Sequence, residues 1–478
     1  MNFVQRIAKN TGVFFIAQIL SYILNFFFFV YVARYLGAKD FGILSFALAL
    51  TAIFGIFSDL GLRQITTREV ARDKSLTKKY LGNITGMKII LIITSLIGLI
   101  LFVNLVGYPE ETIKIVYLIG LSIVFTSFSQ MFYAIFQAYE RMEFESFGKI
   151  LNSVLLLGGA LFAISNGLTI LAFAFFYSLS SGITLVYNLI ISGWKFAKPR
   201  IKIDLNFWKP TLREALPFGL IGIFGTLLHW IDTVMLSIIQ GDAVVGWYNA
   251  AYRIFFVLLL IPSAFDVAIF PAMSRFYISS KDSLKFIYEK SFKYLIIIGI
   301  PIGIGGTLLA DKIILLILGN EYQPSIIAFQ ILIWSAVLIF MGTPFSALLN
   351  SVNKQLALAK IVGASAIFNI LLNLILIPKY SYIGAGIATM VSLFLVLLGV
   401  MGATLRIGYK IPISKILNPA LKVVISSLMM GIFIVCFKNI NFFSLIIFSA
   451  LIYFVIIFLI KGLDKEDLAI MKVLLLRE

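Results

Sequence analysis

Residues 12–33 read GVFFIAQILSYILNFFFFVYVA, a run without a single charge. At 1.5 Å per residue it is long enough to cross a hydrocarbon core about 30 Å thick. Working outward, comparable runs recur near 41–60, 88–106, 113–137, 150–165, 167–192, 215–240, 244–270, 292–310, 324–349, 357–377, 382–405, 418–437 and 442–460, about fourteen in all. The composition agrees, with 61% hydrophobic and 13% charged residues over 478 positions and a mean hydropathy of +1.03. Soluble domains average roughly 45–50% apolar and about 25% charged. The sequence therefore predicts an all-α polytopic membrane protein with about fourteen transmembrane helices, leaving no stretch for a soluble catalytic domain.

The formal net charge of +17 is explained by topology and not by nucleic acid. Most Lys and Arg residues, among them Arg63, Arg68, Arg72, Lys78, Lys79, Lys198, Arg200 and Lys285, fall on one side of the spans. Arg34, Lys39, Lys114, Lys312, Lys379 and Lys438 fall on the other. Short Lys/Arg-rich loops stay cytoplasmic, which sets both termini inside the cell membrane. Attraction to anionic lipid headgroups is a secondary expectation. Cys436 is the single cysteine, so neither a disulfide framework nor a thiolate metal site is available. No small-residue cleavage site follows the first apolar run, which reads as a retained span.

A weak repeat divides the spans. Gly37-Ala-Lys-Asp-Phe-Gly42 closes the turn after the first span, and Gly241-Asp-Ala-Val-Val-Gly246 closes the turn after the seventh. The offset of 204 positions covers six helices, an even number, so both copies run in the same direction. Parallel repeats of this kind are related by an axis along the membrane normal. The expected layout is a six-helix bundle over 1–192, a cytoplasmic linker over 193–214, a second six-helix bundle over 215–405, and an appended helix pair with a tail over 406–478. The two bundles should be related by a pseudo-two-fold axis.

Several stretches look like one known family. Ala33-Arg-Tyr-Leu-Gly37-Ala-Lys-Asp-Phe-Gly42 followed by Ser58-Asp-Leu-Gly61 resembles the opening of Wzx-type polysaccharide flippases of the MOP superfamily. Gly246-Trp-Tyr-Asn-Ala-Ala-Tyr-Arg253 with Ile261-Pro262 and Pro271, Leu318-Gly-Asn-Glu-Tyr322, and Asn369 to Asn373 with Ile377-Pro378 through Thr389 extend the match. The resemblance implies export of a lipid-linked glycan by alternating access between two six-helix halves. Such flippases are usually drawn with twelve helices. The extra pair here is closer to the lipid II flippase and sporulation branches.

Ionisable groups inside spans cost about 2.5–3.5 kcal/mol even on translocon scales, so each needs a partner or a wet cavity. His229 and Asp232 lie at i, i+3 on the seventh span, hence on one face. Arg253 lies on the eighth, at a matching depth of roughly 10–12 Å below the shared turn. The spacing predicts that Asp232 and Arg253 meet. Such a pair either locks the hairpin or forms a cavity site, Arg253 attracting a diphosphate while Asp232 or His229 exchanges a cation or proton. Gln18, Tyr22 and Asn25 form a polar stripe on the first span. Under the 204-residue offset Asn25 faces His229 across the pseudo-axis; the alternative is hydrogen bonding within one bundle. Asp59 with Arg63, and Asp266 with Arg275, flank matching helix ends and suggest an inner gate. Pro262, Pro344, and Pro301 with Gly299, Gly303, Gly305 and Gly306 are hinge candidates.

No enzyme motif is present. There is no phosphate-cradling Gly-Lys-Ser/Thr loop and no metal-spaced His/Cys set, so neither a cofactor nor a metal is expected. The expected function is a flippase carrying polyprenyl-diphosphate-linked oligosaccharide from the inner to the outer leaflet. A multidrug/cation antiporter of the same superfamily would need an acidic cavity, which Arg253 opposes. A membrane-embedded glycosyltransferase would need a sizeable outer loop with acid–base residues.

Overall fold

The computed structural model describes residues 3–409, 413–463 and 467. Among these residues the chain forms α1 (Phe3–Ile56), α2 (Leu62–Arg72), α3 (Thr77–Val106), α4 (Glu110–Ala138), α5 (Met142–Ser165), α6 (Ile170–Lys195), α7 (Leu205–Ile239) and α8 (Asp242–Leu258). It continues with α9 (Leu260–Ser279), α10 (Lys281–Leu308), α11 (Ala310–Leu318), α12 (Ser325–Ser351), α13 (Gln355–Arg406), α14 (Ile413–Cys436) and α15 (Phe442–Leu459). Twelve helical stretches are long and apolar enough to cross a membrane. Two of them, 43 and 52 residues long, bend at Gly37 (φ 71°, ψ 176°) and Ser381 (φ 53°, ψ −136°). Each bent helix supplies two crossings, which accounts for the expected fourteen. The conformation at Gly37 is open essentially to glycine alone.

The chain divides into two compact units, Met1–Arg253 with Val362–Ala385, and Ile254–Ile361 with Gly386–Glu478. This division does not follow the sequence halves: α7 and most of α8 pack with the N-terminal helices.

In the first unit, the turns at 37–42 and 241–246 lie against each other. A Cβ on Gly42 would stand 1.8 Å from the Asp242 carbonyl oxygen, and one on Gly246 would stand 1.9 Å from that of Ala38. The contact is reciprocal, since the 204-residue offset carries Ala38 to Asp242 and Gly42 to Gly246. Only glycine allows two helix starts to approach so closely. Away from this seam, an apolar core of Leu62, Ile65, Leu81, Ile84, Phe132, Phe136 and Ala215 joins α2, α3, α4 and α7.

The segment read as a linker is bound along its length. Residues 205–214 already belong to α7, whose N-terminus Asp204 caps through Asn206 and Phe207 N–H. Upstream, Lys202 N–H donates to the Gly82 carbonyl at 3.1 Å. Asn83 Oδ1 accepts from Asp204 N–H at 3.2 Å and from Trp208 Nε1 at 3.1 Å. Composition alone gives Pro and Lys in this stretch, which is why it reads as free chain.

The second unit is built around α10. Gly299, Gly303 and Gly306 lie at i, i+4, i+7 and receive Phe340, Val337 and Ile333 of α12. These glycines form a packing groove, a correction to their reading as hinges; small residues let membrane helices approach. Pro262 does mark a break, for it stands just after the α8–α9 discontinuity at Leu259. The pair α14–α15 is integral to this core through Val423, Met430, Leu445 and Ile457, with Tyr453 Oη donating to the Ile297 carbonyl at 2.6 Å. Most of the tail beyond Leu463 lies outside the described residues.

Candidate functional site

Two polar rungs join α7 to α8. His229 and Asp232 share one face of α7, and Tyr248 and Tyr252 share one face of α8, four residues apart. Tyr248 Oη donates to Asp232 Oδ2 at 2.8 Å, and Tyr252 Oη lies 2.8 Å from His229 Nδ1. Thr233 Oγ1 adds a third contact to Asn249 Oδ1 at 3.2 Å. The helical period on each side thus delivers matched partners at one depth.

The first arm of α13 completes the cluster. Asn373 Nδ2 donates to Asp232 Oδ1 and to Asn369 Oδ1 at 3.0 Å. Asp232, Asn369 and Asn373 are buried to 1% exposure or less. Among the described residues Asn373 Oδ1 and Asn369 Nδ2 have no hydrogen-bond partner. Orphaned polar atoms at that depth are costly. Gln240 Nε2, donating to the Ile377 carbonyl at 3.1 Å, ties the end of α7 to α13 just before its bend.

Arg253 does not join Asp232. Its guanidinium lies over the Trp230 ring, 5.3 Å from the centroid, and the Trp230 ring is edge-on to His229 at 4.9 Å. Among the described residues no carboxylate pairs with Arg253. The expected Asp232–Arg253 ion pair is therefore corrected. Equal depth fixes height along two helices but not direction around them, and the Asp232 face is taken up by Tyr248 and Asn373. Arg253 is left half-buried over the Trp230 ring, with Tyr177, Tyr252 and His229 as further neighbours.

The polar stripe on α1 turns into its own unit. Asn25 Nδ2 donates to Ser153 Oγ of α5 at 3.1 Å, and Lys149 Nζ of α5 donates to Gln18 Oε1 at 3.3 Å. The hydrogen-bonding reading holds for Gln18 and Asn25, and the expectation that Asn25 faces His229 is replaced. Both residues line a cavity of about 240 Å³ shared by α1, α4, α5 and α6. Tyr22 is half-buried and is not part of its wall.

The pairs expected at an inner gate are also corrected. Residues 57–61 form a turn in which Leu60 (φ 45°) and Gly61 (φ 85°) are left-handed, so the helical i, i+4 rule does not apply to Asp59 and Arg63. Asp59 binds Arg63 only through its backbone N–H at 3.4 Å. Its ion-pair partner is Lys88 of α3, at 2.7 Å and fully buried. Arg63 reaches Gln130 of α4 and Glu145 of α5 at 3.1 Å. Burial pushes the Asp59 carboxyl up, and Lys88 with Arg63 more than reverses this, holding it below the ordinary carboxylate value. Asp266 and Arg275 form no pair, since nine residues of α-helix place them on opposite faces; exposed Arg275 lies over Phe276 at 5.3 Å.

Sequence reasoning missed Tyr248, Tyr252, Asn369, Asn373 and Lys88 as functional or structural positions. The i, i+4 spacing of the tyrosines and of the asparagines was a readable signal. Lys88 was not, because at the head of an apolar run it reads as the end of a loop.

The sequence profile of the family described as polysaccharide biosynthesis protein matches residues 7–277, and that of the MatE family matches residues 217–375. The probable low-salt glycan biosynthesis flippase Agl15 of Haloferax volcanii is 25% identical over 392 residues, 81% of each chain. The capsular polysaccharide biosynthesis protein CapF of Staphylococcus aureus is 25% identical over 410 residues, covering 82% of this chain and 97% of that protein. Among solved structures, the lipid II flippase MurJ in an inward closed conformation superposes with a TM-score of 0.78 at 17% identity, over 95% of this chain and 99% of its own. An inward-facing MATE family multidrug resistance transporter of the MOP superfamily gives 0.66 at 17% identity, over 82% and 96%. At those identities the structures establish a common fold. With more than half of its length matched by the family profile, the chain belongs to the polysaccharide biosynthesis protein family.

Proposed function

We propose that this protein carries polyprenyl-diphosphate-linked oligosaccharide from the inner to the outer leaflet of the cell membrane. It does so by alternating access between the halves 1–192 and 215–405, with both termini cytoplasmic. Arg253 is the observation that carries the reading. A guanidinium within a span, covered by an aromatic ring and matched by no carboxylate among the described residues, keeps its hydrogen-bonding fork for an anion. That fork suits a diphosphate, and the same charge disfavours a cationic drug as cargo. The relatives named as glycan flippase and capsular polysaccharide biosynthesis protein support the substrate class.

Energy comes from an ion gradient, a coupling cation or proton being taken at Asp232, Asn369 and Asn373. Carboxylate and amide oxygens are the ligands of hard cations, and the orphaned Asn373 Oδ1 supplies one that the protein itself leaves unused. Membrane lipids are the second partner of every span.

Proteoliposomes holding the purified protein and a fluorescent lipid-linked oligosaccharide test the proposal. Arg253→Ala should slow flipping about 10- to 100-fold, the worth of a charge-assisted hydrogen bond, and Arg253→Lys should recover part of the rate. Because no carboxylate among the described residues pairs with Arg253, its loss strands no buried charge there, and the melting temperature should be preserved. Wild-type flipping by Arg253→Ala would sink the reading, and gradient-driven export of organic cations would replace it with the antiporter.

A further inference from the structure

Between α6 and α7 the chain lies as an extended strap near the start of α3. Its backbone is engaged by that helix. A Cβ on Gly82 would stand 2.7 Å from the Arg200 carbonyl oxygen, and one on Gly86 2.7 Å from that of Lys202. Lys202 N–H donates to the Gly82 carbonyl and Asp204 N–H to Asn83 Oδ1. The side chains are left outside. Trp194 is 72% exposed, Ile201 64%, Ile203 72% and Leu205 70%. Arg200 and Lys202 alternate with the isoleucines, so basic and apolar groups emerge on opposite faces of an extended chain.

Depth and charge say what covers this face. Helix α3 carries no charge from Ile89 to Val106, about 27 Å of helix, which is close to the hydrocarbon thickness. Gly86 and Gly82 then stand roughly 5 and 10 Å outside the hydrocarbon, across the head-group layer. Trp194 closes α6 with Lys195 Nζ 3.6 Å from its ring centroid, an amphipathic pairing that settles at membrane interfaces. From 193 to 209 the chain sets Lys195, Lys198, Arg200, Lys202 and Lys209 against the single acid Asp204, whose carboxylate caps α7. All five cations are exposed, and among the described residues none of them forms an ion pair.

We propose that this strap is a lipid-binding site, its isoleucines and Trp194 set into the membrane interface and its cations holding the head groups of anionic phospholipids. On the orientation set by the Lys/Arg asymmetry, these are lipids of the cytoplasmic leaflet. Basic side chains beside an apolar edge select a head group of net negative charge over a zwitterionic one. The strap runs into α7 through the Asp204 cap. A head group held there therefore anchors the start of the helix that carries His229 and Asp232.

Nanodiscs holding the purified full chain and a minor fraction of phospholipid brominated on its acyl chains test the proposal, since bromine quenches only a tryptophan in contact with that lipid. Subtracting the signal of Trp194→Phe isolates Trp194, and Trp194→Phe/Ile201→Trp moves the reporter onto the strap. Both reporters should be quenched. The relative association constant should favour phosphatidylglycerol over phosphatidylcholine about fivefold, the worth of one Lys or Arg near anionic head groups. Lys195→Gln/Lys198→Gln/Arg200→Gln should bring the two lipids level at an unchanged melting temperature, because these side chains are exposed. Lys195→Arg/Lys198→Arg should keep the preference. Quenching of both reporters by aqueous iodide and not by brominated lipid overturns the proposal and leaves the face to a soluble protein partner. Equal quenching by the two lipids, or a preference that survives the triple variant, overturns the anionic site. Nanodiscs expose both leaflets to the same lipids, so these results stand apart from the orientation; outside labelling at position 198 would overturn the leaflet alone.

Discussion

Lys88 shows what a single buried charge does in this bundle. Its ammonium is fully enclosed and satisfied by Asp59, by Ser127 Oγ at 3.1 Å and by the Ser58 carbonyl at 3.4 Å. It thereby pins the turn between α1 and α2. Lys88→Met should destabilise the protein by about 3 kcal/mol, the low end for breaking a buried pair because Asp59 stays one-fifth exposed. Adding Asp59→Asn should restore much of the loss, as thermal unfolding in detergent can measure. The pH dependence has a definite sign. A carboxyl held below its ordinary value contributes stability in full above that value and loses it as pH falls through the lower, folded value. The difference in stability between wild type and Asp59→Asn should therefore stay flat from about pH 8 to about pH 5 and shrink only below about pH 3.8. Much of the Arg253 neighbourhood was legible at this scale, since the rarity of charge in spans singles out His229, Asp232 and Arg253 directly. Who pairs with whom was not legible. Direction around a helix depends on neighbours such as Tyr248 and Asn373, whose polar groups look unremarkable in an apolar string.

At the scale of elements, the same residue type serves opposite ends. The glycines of α10 form a groove for α12, whereas Gly42 and Gly246 let two helix starts touch through backbone. Periodicity revealed the turns and their 204-residue relation, but it could not tell a hinge from a groove, since both need small residues. Gly42→Ala places a Cβ less than 2 Å from the Asp242 carbonyl, so the turns must separate by more than an ångström. Spin labels at exposed positions 35 and 238 in a Cys436→Ala background should report a longer distance in Gly42→Ala, and a longer one still in Gly42→Ala/Gly246→Ala. An unchanged distance would mean that the seam yields by side-step and not by opening. The segment 193–204 carries a further element-scale lesson: its strapping to Gly82 and Asn83 depends on a groove in α3 that no property of the segment itself announces.

For the whole molecule, the count of crossings was legible because length and apolarity are local properties, and the two bends preserve the count even where the helix runs on. The compact units were not, because α7 is joined in sequence to one half and packed with the other. Orientation follows from charge: labelling of single cysteines in a Cys436→Ala background should reach positions in 61–87, 193–214 and 272–291 only from the cytoplasmic side, and positions in 34–40 and 241–246 only from outside. Outside labelling at position 74 or 198 would invert the direction of transport. The seam between Gly42 and Gly246 then has a thermodynamic consequence. Its closest contacts are carbonyl oxygens set against glycine Cα–H groups, while Lys39 and Asp40 on one turn act on Asp242 on the other through their charges. Separating the turns weakens those interactions, so the opening should respond to Debye screening. The backbone sets how closely the turns approach, and ionic strength sets how firmly they hold, which makes this contact a salt-tuned latch.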